Sequence, residues 1–570
     1  MIAPPAAPQW TPHPRRDAVR AADLARALGA PLPVANVLVN RGVGSPEAAQ
    51  HFLEPTLDDL ADPSLLTDLD RAVTRIHAAI ERGERILVHG DYDVDGITST
   101  FLLYQALTGL GARAEYRIPH RTKDGYGLSL LAIDEAHRRG CTLIVTVDCG
   151  ITAFDAVAHA TRLGIDTVIT DHHEPPAVLP DAVAVVNPLR PGCPYPFKSL
   201  AGVGVTFKLV EGLLRGHGGR ERAVEALDVV ALGTIADVVP LVGENRVLAR
   251  LGLDRLNQGR RLGLRALIEV AGLSGKRISS GQVAFVLAPR INAAGRMGNA
   301  EQGVRLLLSR DDSEARACAE SLEEDNEQRR RFDEAALAEA AQRVETELHW
   351  PDCSSILLWS DQWHPGVIGI VASRLVERFQ RPTVLVVLDG ERGRGSGRSL
   401  PGLDLNRLLG ECGDLLEAYG GHAFAAGLTV QRARLPELRA RFESLVRSRL
   451  TPDDCVPRLV IDGDLTLGEN TLALVDWLER MSPHGLDNPE PLFRTEGVTV
   501  ESASAVGGGK HLRLRVRDAT GGAEAIGFGL GGLVQAVTNA RVCDLAYVPT
   551  RNEWMGETRI QLKVKGVRVP

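Results

Sequence analysis

Three short apolar runs in the first half of the chain each end directly in a carboxylate or an imidazole. Ile86-Leu87-Val88 leads into His89-Gly90-Asp91-Tyr92-Asp93-Val94-Asp95-Gly96, the run 142–147 (TLIVTV) leads into Asp148, and the run 166–170 (DTVIT) leads into Asp171-His172-His173. Helical patterns separate them, one after Gly96 and one from Ala153. Continuous apolar strands alternating with helices predict a parallel sheet covered on both faces. Residues that follow each strand of such a sheet gather along its carboxyl edge, where open α/β sheets bind ligands. The pattern therefore predicts an α/β fold and a crevice on which distant side chains converge.

Asp91, Asp93 and Asp95 lie within five residues. Two like charges ~4 Å apart repel by about 4 kcal/mol at an effective dielectric of about 20, so converging acids imply bound cations or raised pKa values. Taken one at a time, the clusters also read as a solvated acidic turn, a helix cap at Asp148 and a surface histidine pair. Their repeated placement at strand ends favours a shared site. A calcium loop of the D-x-D-x-D-G type is excluded: its twelfth position, which needs a bidentate glutamate, is Leu102, and a strand rather than a helix precedes it. Mixed imidazole and carboxylate ligands suit manganese, with magnesium as the alternative, better than structural zinc. A pair of such cations lowers the pKa of a shared water and neutralises charge at phosphorus, the chemistry of phosphoester hydrolysis.

Of 570 residues, 44% are hydrophobic and 24% charged, which excludes collagen, coiled coil and wholesale disorder. The length predicts several domains. We expect an N-terminal helical cap over 1–80, a parallel-sheet catalytic domain over 81–310, a connector helix over 311–349, a second α/β domain over 350–452 and a small β domain over 453–570. Residues 313–348 contain no Gly or Pro and only a thin apolar stripe, which predicts a solvated helix. The second α/β domain should carry the strands ILLWS and TVLVVLD and two Gly-rich loops. The net charge of -8 argues against whole-molecule attraction to nucleic acid, so a polyanion would be held by local patches or by metal ions. No run approaches the ~18 apolar residues of a membrane span, and the eight cysteines form no CxxC pair. A cytoplasmic protein with no membrane partner is expected.

The motifs HGDYDVDG, VDCG and TDHHE resemble successive motifs of the DHH phosphoesterase superfamily, and residues 231–239 (ALGTIADVV) resemble its fourth, carrying Asp237. The resemblance implies that His89, Asp93 and Asp148 hold one divalent cation, and that Asp95, Asp148 as a bridge, His172 and Asp237 hold a second. It also implies that His173 faces the scissile phosphate, so that the catalytic set is Asp93, Asp95, Asp148, His172, His173 and Asp237. Asp91 and Asp171, lying between ligand positions, are expected to bond backbone or orient a ligand imidazole.

Residues 289–296 (PRINAAGR), 395–399 (GSGRS) and 420–427 (GGHAFAAG) are similar to motifs of RecJ-type single-strand exonucleases, including the DHH-associated domain. That likeness implies a metal-dependent enzyme degrading single-stranded DNA from the 5′ end to nucleoside 5′-monophosphates in DNA repair and recombination. It further implies an OB-like C-terminal domain, substrate contacts from Arg121, Arg290, Asn292, Arg296, Ser396, Arg398 and His422, and a single-strand-binding protein and a helicase as partners. Two rivals are a small-molecule or short-oligonucleotide phosphoesterase of the same superfamily and a catalytically silent DNA-binding scaffold.

Two features read as chemistry without the likeness. Gly395 to Ser399 can offer backbone N–H groups and a hydroxyl to a phosphate, with Arg398 adding charge-assisted hydrogen bonds; a tight turn is the alternative. In 511–517 the period of two puts His511, Arg513, Arg515 and Arg517 on one face and Leu512, Leu514 and Val516 on the other. Arg559, Gln561, Lys563 and Lys565 repeat the arrangement. A half-solvated sheet would look similar, but the unbroken positive sign favours a polyanion track, with Tyr547 or Trp554 to stack bases.

Overall fold

A computed structural model describes residues 8–121, 125, 127–554 and 557–569; the side chain of Trp554 lies outside the described residues. The chain divides into two compact units, Pro12–Glu323 with Val460–Pro570, and Met1–Thr11 with Glu324–Leu459.

The first unit is built on a five-stranded parallel sheet. Its strands are β1 (Arg85–His89), β2 (Arg113–Arg117), β3 (Cys141–Val147), β4 (Asp166–Thr170) and β5 (Ala184–Val186), in the order β2-β1-β3-β4-β5. The apolar runs read from the sequence are β1, β3 and β4. Alternate residues serve opposite faces: Ile86, Val88, Leu143 and Val145 join the large core, whereas Leu87 and Ile144 pack with Ala132, Ile133 and Ala160 on the other side. The polar edge strand β2, RAEYR, carries no apolar run and is not legible as a strand. From β1 the chain steps outward to β2 and then returns past β1 to β3. The strand order therefore reverses between β1 and β3, and the crevice beyond their carboxyl ends is the topological switch point.

The helices Ala18–Leu28, Leu32–Asn40 and Pro46–Leu53 do not form a cap with a core of their own. Leu24, Val34, Leu38 and Phe52 share one hydrophobic cluster with Leu478, Phe493, Leu512, Leu514, Tyr547 and Leu562 near the other end of the chain. Apart from Leu478, which lies on the helix Leu472–Arg480, those C-terminal residues belong to a barrel of β11 (Gly463–Asp464), β12 (Phe493–Val506), β13 (His511–Arg517), β14 (Gly522–Gly527), β15 (Val542–Trp554) and β16 (Glu557–Arg568), numbering after the five strands of the second unit. The order is β11-β12-β13-β14-β16-β15, and pairing of β12 with β15 closes the sheet on itself, giving the OB-like architecture. A nearly dry ion pair, Arg41 with Asp462 at 2.8 Å, joins the N-terminal helices to the barrel's first segment.

Arg246, in the helix Gly243–Leu256, ties the same regions to the part of the first unit built on the parallel sheet. Among the described residues its buried guanidinium has no carboxylate partner, and it donates to the carbonyls of Phe52 (2.7 Å), Met481 (2.8 Å), Ser482 (3.0 Å) and Arg480 (3.2 Å). These carbonyls end the helices Pro46–Leu53 and Leu472–Arg480, whose last turns leave acceptors without intrahelical donors and carry the negative pole of the macrodipole.

The second unit holds a mixed sheet of β6 (Ile356–Ser360), β7 (Thr383–Asp389), β8 (Arg392–Arg398), β9 (Leu416–Gly421) and β10 (Ala425–Gln431), ordered β9-β10-β8-β7-β6. Here the first expected Gly-rich loop is a strand, and the second is the turn between β9 and β10 with their adjoining ends. Gly393, Gly395 and Gly397 of β8 face the core, where a Cβ would fall 2.6 Å from Val386, 2.9 Å from Leu428 and 2.8 Å from Leu405. Glycine is required by close packing, and with β7 and β10 on its two sides the backbone of β8 is committed to the ladder. Those N–H groups are not a phosphate cradle.

The helix Asp312–Glu347 is less solvated than its thin stripe predicts. Ala315, Cys318, Ala319 and Leu322 are buried in the first unit's core, and Ala336, Ala340, Ala341 and Val344 in a core of the second. Small side chains give a weak apolar signal yet permit close approach. Among the described residues no helix is long and apolar enough to cross a membrane.

Replacing Arg246 by Met, of similar length, removes its donors from all four carbonyls; Met481 keeps Asn488 Nδ2 at 2.9 Å and Ser482 keeps Arg250 at 3.4 Å, but those of Phe52 and Arg480 lose their side-chain donor. The first unit's unfolding free energy should fall by about 3 kcal/mol or more, read as a lower urea midpoint.

Candidate metal centre and substrate groups

Each acidic motif is held by local backbone structure. Asp93 caps the helix Val94–Gly109, accepting the Gly96 N–H at 3.1 Å. Asp95, in the first turn, accepts the N–H groups of Gly202 (2.7 Å) and Val203 (2.8 Å), the uncapped start of the helix Gly202–Leu213. Asp148 follows β3 in the left-handed region, φ 61°. Asp237 ends the helix Leu227–Ala236. Asp171, after β4, accepts N–H groups from Ile151, His172 and His173 and the Nδ1–H of His173 at 2.7 Å.

These groups meet at His172. Its Nε2 lies 3.1 Å from Asp148 Oδ1, 3.7 Å from Asp237 Oδ2 and 3.8 Å from Asp95 Oδ2. Three overlapping sets bring ligand atoms within 4.8 Å of one another: Asp95, His172 and Asp237; Asp148, His172 and His173; and Asp91, Asp93 and Asp148. Asp91 thus stands in the cluster beside Asp93. His89 stands outside these sets; its buried Nε2–H donates to the Gly127 carbonyl at 3.1 Å, leaving Nδ1 the basic nitrogen.

Two glycines that the motif reading passed over make the convergence possible. A Cβ on Gly202 would fall 2.3 Å from Asp148 Oδ1, and one on Gly233 would fall 2.2 Å from Thr98 Oγ1 and 3.2 Å from Asp95 Oδ1. The available signal was glycine near a helix start or inside a helix, where it needs a packing reason.

Electrostatics follow from this crowding. Burial, then the Asp93 charge, raises Asp95 to about 7. Burial followed by neighbouring carboxylates pushes Asp91, Asp148 and Asp237 well above the usual range. Burial and His173 lower His172 to about 4, so its imidazole is neutral and ready to ligate. Burial opposes the cationic form of His173, but Asp171 and the acidic cluster outweigh it and raise its pKa. Asp148 Oδ1, Asp237 Oδ2 and His172 Nε2 are buried without hydrogen-bond partners among the described residues. Oxygen-rich carboxylates with one neutral imidazole and no donor among them fit divalent cations of the manganese and magnesium kind.

The expected substrate residues separate into distinct settings. The Arg121 guanidinium stacks 5.0 Å over the Tyr92 ring, and Asn292 Oδ1 accepts the Val94 N–H at 3.0 Å, so both border the acidic motif. Arg296 is half-buried on the same helix as Asn292, Ala288–Met297. Arg290 is buried and paired with Glu323, also donating to the Val286 carbonyl at 2.6 Å, which makes it part of the scaffold. Ser396, Arg398 and His422 belong to the second unit. Arg398 Nη1 donates to Ser396 Oγ at 3.1 Å, and Gly369, another position missed, leaves room for both: a Cβ there would lie 3.0 and 3.1 Å from them. His422 is exposed at the β9–β10 turn.

On the barrel, the alternation of β13 is as expected, but the positive face is not unbroken. Glu501 lies 3.3 Å from Arg515 and is bonded to Arg517, Glu524 lies 3.8 Å from Arg513, and Glu490 is 3.1 Å from both Lys563 and Lys565. Partners on other segments cannot be seen in one strand's pattern. Tyr547 is fully buried and hydrogen-bonded to Thr495 and Asn470, so it is a core residue and not a stacking one.

In chelated protein, Asp148→Asn removes a buried repelling charge. A carboxyl whose folded pKa exceeds its unfolded value loses stability as pH rises through the folded pKa. The variant should therefore unfold later than wild type at pH 8, by about 1–3 kcal/mol, with the gap closing toward pH 5. Added Mn2+ should stabilise wild type more than the variant in the same melts.

Comparison with known families matches residues 85–234 to the DHH family N-terminal domain, 353–448 to the DHHA1 domain and 461–566 to the RecJ OB domain. The single-stranded-DNA-specific exonuclease RecJ of Bacillus subtilis is 39% identical, over 94% of this chain and 68% of that one. The Escherichia coli protein of the same name is 37% identical, over 97% and 98%. The crystal structure of RecJ from Thermus thermophilus in complex with Mn2+ superposes with a TM-score of 0.86 at 32% identity, covering 99% of this chain and 80% of that one. With the DHH carboxylates gathered at the switch point and the barrel matched in turn, the chain belongs to the RecJ family of DHH phosphoesterases.

Proposed function

We propose that this chain is a divalent-cation-dependent exonuclease that degrades single-stranded DNA from the 5′ end to nucleoside 5′-monophosphates in DNA repair and recombination. The observation that carries this reading is the gathering of Asp95, Asp148 and Asp237 around the neutral Nε2 of His172, in a chain whose relatives are named single-stranded-DNA-specific exonucleases. In our reading His89, Asp93 and Asp148 hold one cation and Asp95, Asp148, His172 and Asp237 a second, with manganese preferred and magnesium possible. Bound there, such cations lower the pKa of water and neutralise charge at phosphorus.

The chain's own groups do the rest. Asp171 orients His173 and favours its protonated form, so that His173 can donate a hydrogen bond to a phosphate oxygen. Arg121, Asn292 and Arg296 border the acidic motif and take neighbouring phosphates, while Arg290 holds their helix. Ser396 and Arg398 bind the terminal 5′ phosphate with His422 beside them, and Arg513 and Arg515 contact the strand farther along. Eight free cysteines, seven of them buried, fit the cytoplasm. A single-strand-binding protein and a helicase supplying unwound ends are the partners this reaction calls for.

Digestion of 5′-end-labelled single-stranded DNA with Mn2+ should release labelled mononucleotides, with none released in chelator and little from a duplex. Asp93→Ala and His172→Ala should each lower the rate by about 10³-fold or more. Cleavage of pyrophosphate or very short RNA without attack on long single strands would support the small-molecule rival. Arg398→Ala should reduce the preference for 5′-phosphorylated over 5′-hydroxyl ends by about tenfold; an unchanged ratio of initial rates would remove Arg398 from the phosphate site.

A further inference from the structure

The barrel buries Tyr547 and Phe493 but keeps another aromatic outside. Phe528, immediately after β14, is 58% exposed, although burying a phenylalanine is worth about 1.5–3 kcal/mol. Its ring is nonetheless held in place. It meets His511 edge-on, with centroids 5.2 Å apart and planes at 70°. His511 Nδ1 accepts the Gly529 N–H at 3.1 Å. Gly507 lies so close behind the imidazole that a Cβ there would fall 2.7 Å from Cδ2. The Phe528 loop is tied to the β12–β13 hairpin by the Gly531 N–H, which donates to the Lys510 carbonyl at 3.1 Å.

Cations adjoin the bracing histidine along the chain. Lys510, one of only seven lysines in the chain, is exposed and forms no ion pair among the described residues. Arg513 shares the His511 face of β13, and its nearest carboxylate, Glu524, stands 3.8 Å away. A braced aromatic whose supporting strand carries cations matches the repeat of a polynucleotide single strand, whose bases offer π faces and whose linkages offer phosphates. A protein partner would call for a contiguous apolar patch, whereas here one ring stands among charged and glycine residues.

We propose that Phe528, braced by His511, is a base-stacking platform for single-stranded DNA, with Lys510 and Arg513 taking the adjoining phosphates. The assignment deepens the single-strand reading above and rests on it for the ligand's identity. Because the ring is fixed before binding, little side-chain freedom is lost on contact.

The test is fluorescence anisotropy of the full chain with a labelled oligothymidylate of about twenty nucleotides, in chelator so that the strand stays intact. Phe528→Ala should weaken binding about tenfold, and Phe528→Trp should restore it with a DNA-dependent change in indole emission beyond that of wild type. Equal affinity of wild type and Phe528→Ala overturns the platform, as does a Trp variant that neither restores binding nor changes emission. If wild type releases no nucleotides with Mn2+ but the tenfold loss persists, the hydrolytic reading fails and the platform stands. If nucleotides are released while Phe528→Ala binds like wild type, the reverse holds.

Discussion

Mutual repulsion among buried carboxylates is the constraint on which the rest of the first unit depends. Asp91, Asp95, Asp148 and Asp237 occupy one crevice with Asp93, and water is too scarce there to screen them. Backbone N–H groups at helix starts offset part of the cost, as at Asp95 and Asp93. What remains is an electrostatic deficit of the kind that divalent cations relieve.

Keeping these acids close requires the surrounding packing to be tight. Gly202 and Gly233 are needed because any larger side chain would occupy the space of Asp148 or press on Asp95 and Thr98. The switch point between β1 and β3 supplies the opening, and the helices on either face fix the strands that aim the ligands. A parallel sheet is well suited to this role, since every strand delivers its following residue to the same edge.

Outside the crevice, the architecture depends on segments that are remote in sequence. The N-terminal helices and the C-terminal barrel share one core, and Arg246 of the helix Gly243–Leu256 reaches the carbonyl ends of two helices in these regions. A lone buried cation is tolerated because those ends supply partial negative charge. The barrel's basic face is tempered in a similar way, by glutamates on other segments facing Arg513, Arg515 and Arg517, while His511 on that strand meets an exposed aromatic.

The amino-acid sequence alone determined the α/β class, strands β1, β3 and β4, the long helix, the alternation of β13 and the identity of the acidic and histidine motifs. All of these are written in short-range periodicity or in the residues directly after a strand. It did not determine that Asp91 stands among the gathered carboxylates, that Arg290 is paired with Glu323, that Tyr547 is core, or that the glycines of β8 line a packed strand. It was also silent on the core shared by the two ends of the chain. Those outcomes were decided by tertiary structure, because burial and the partners of a charge depend on residues that arrive from other parts of the chain. No local pattern records which ones will arrive.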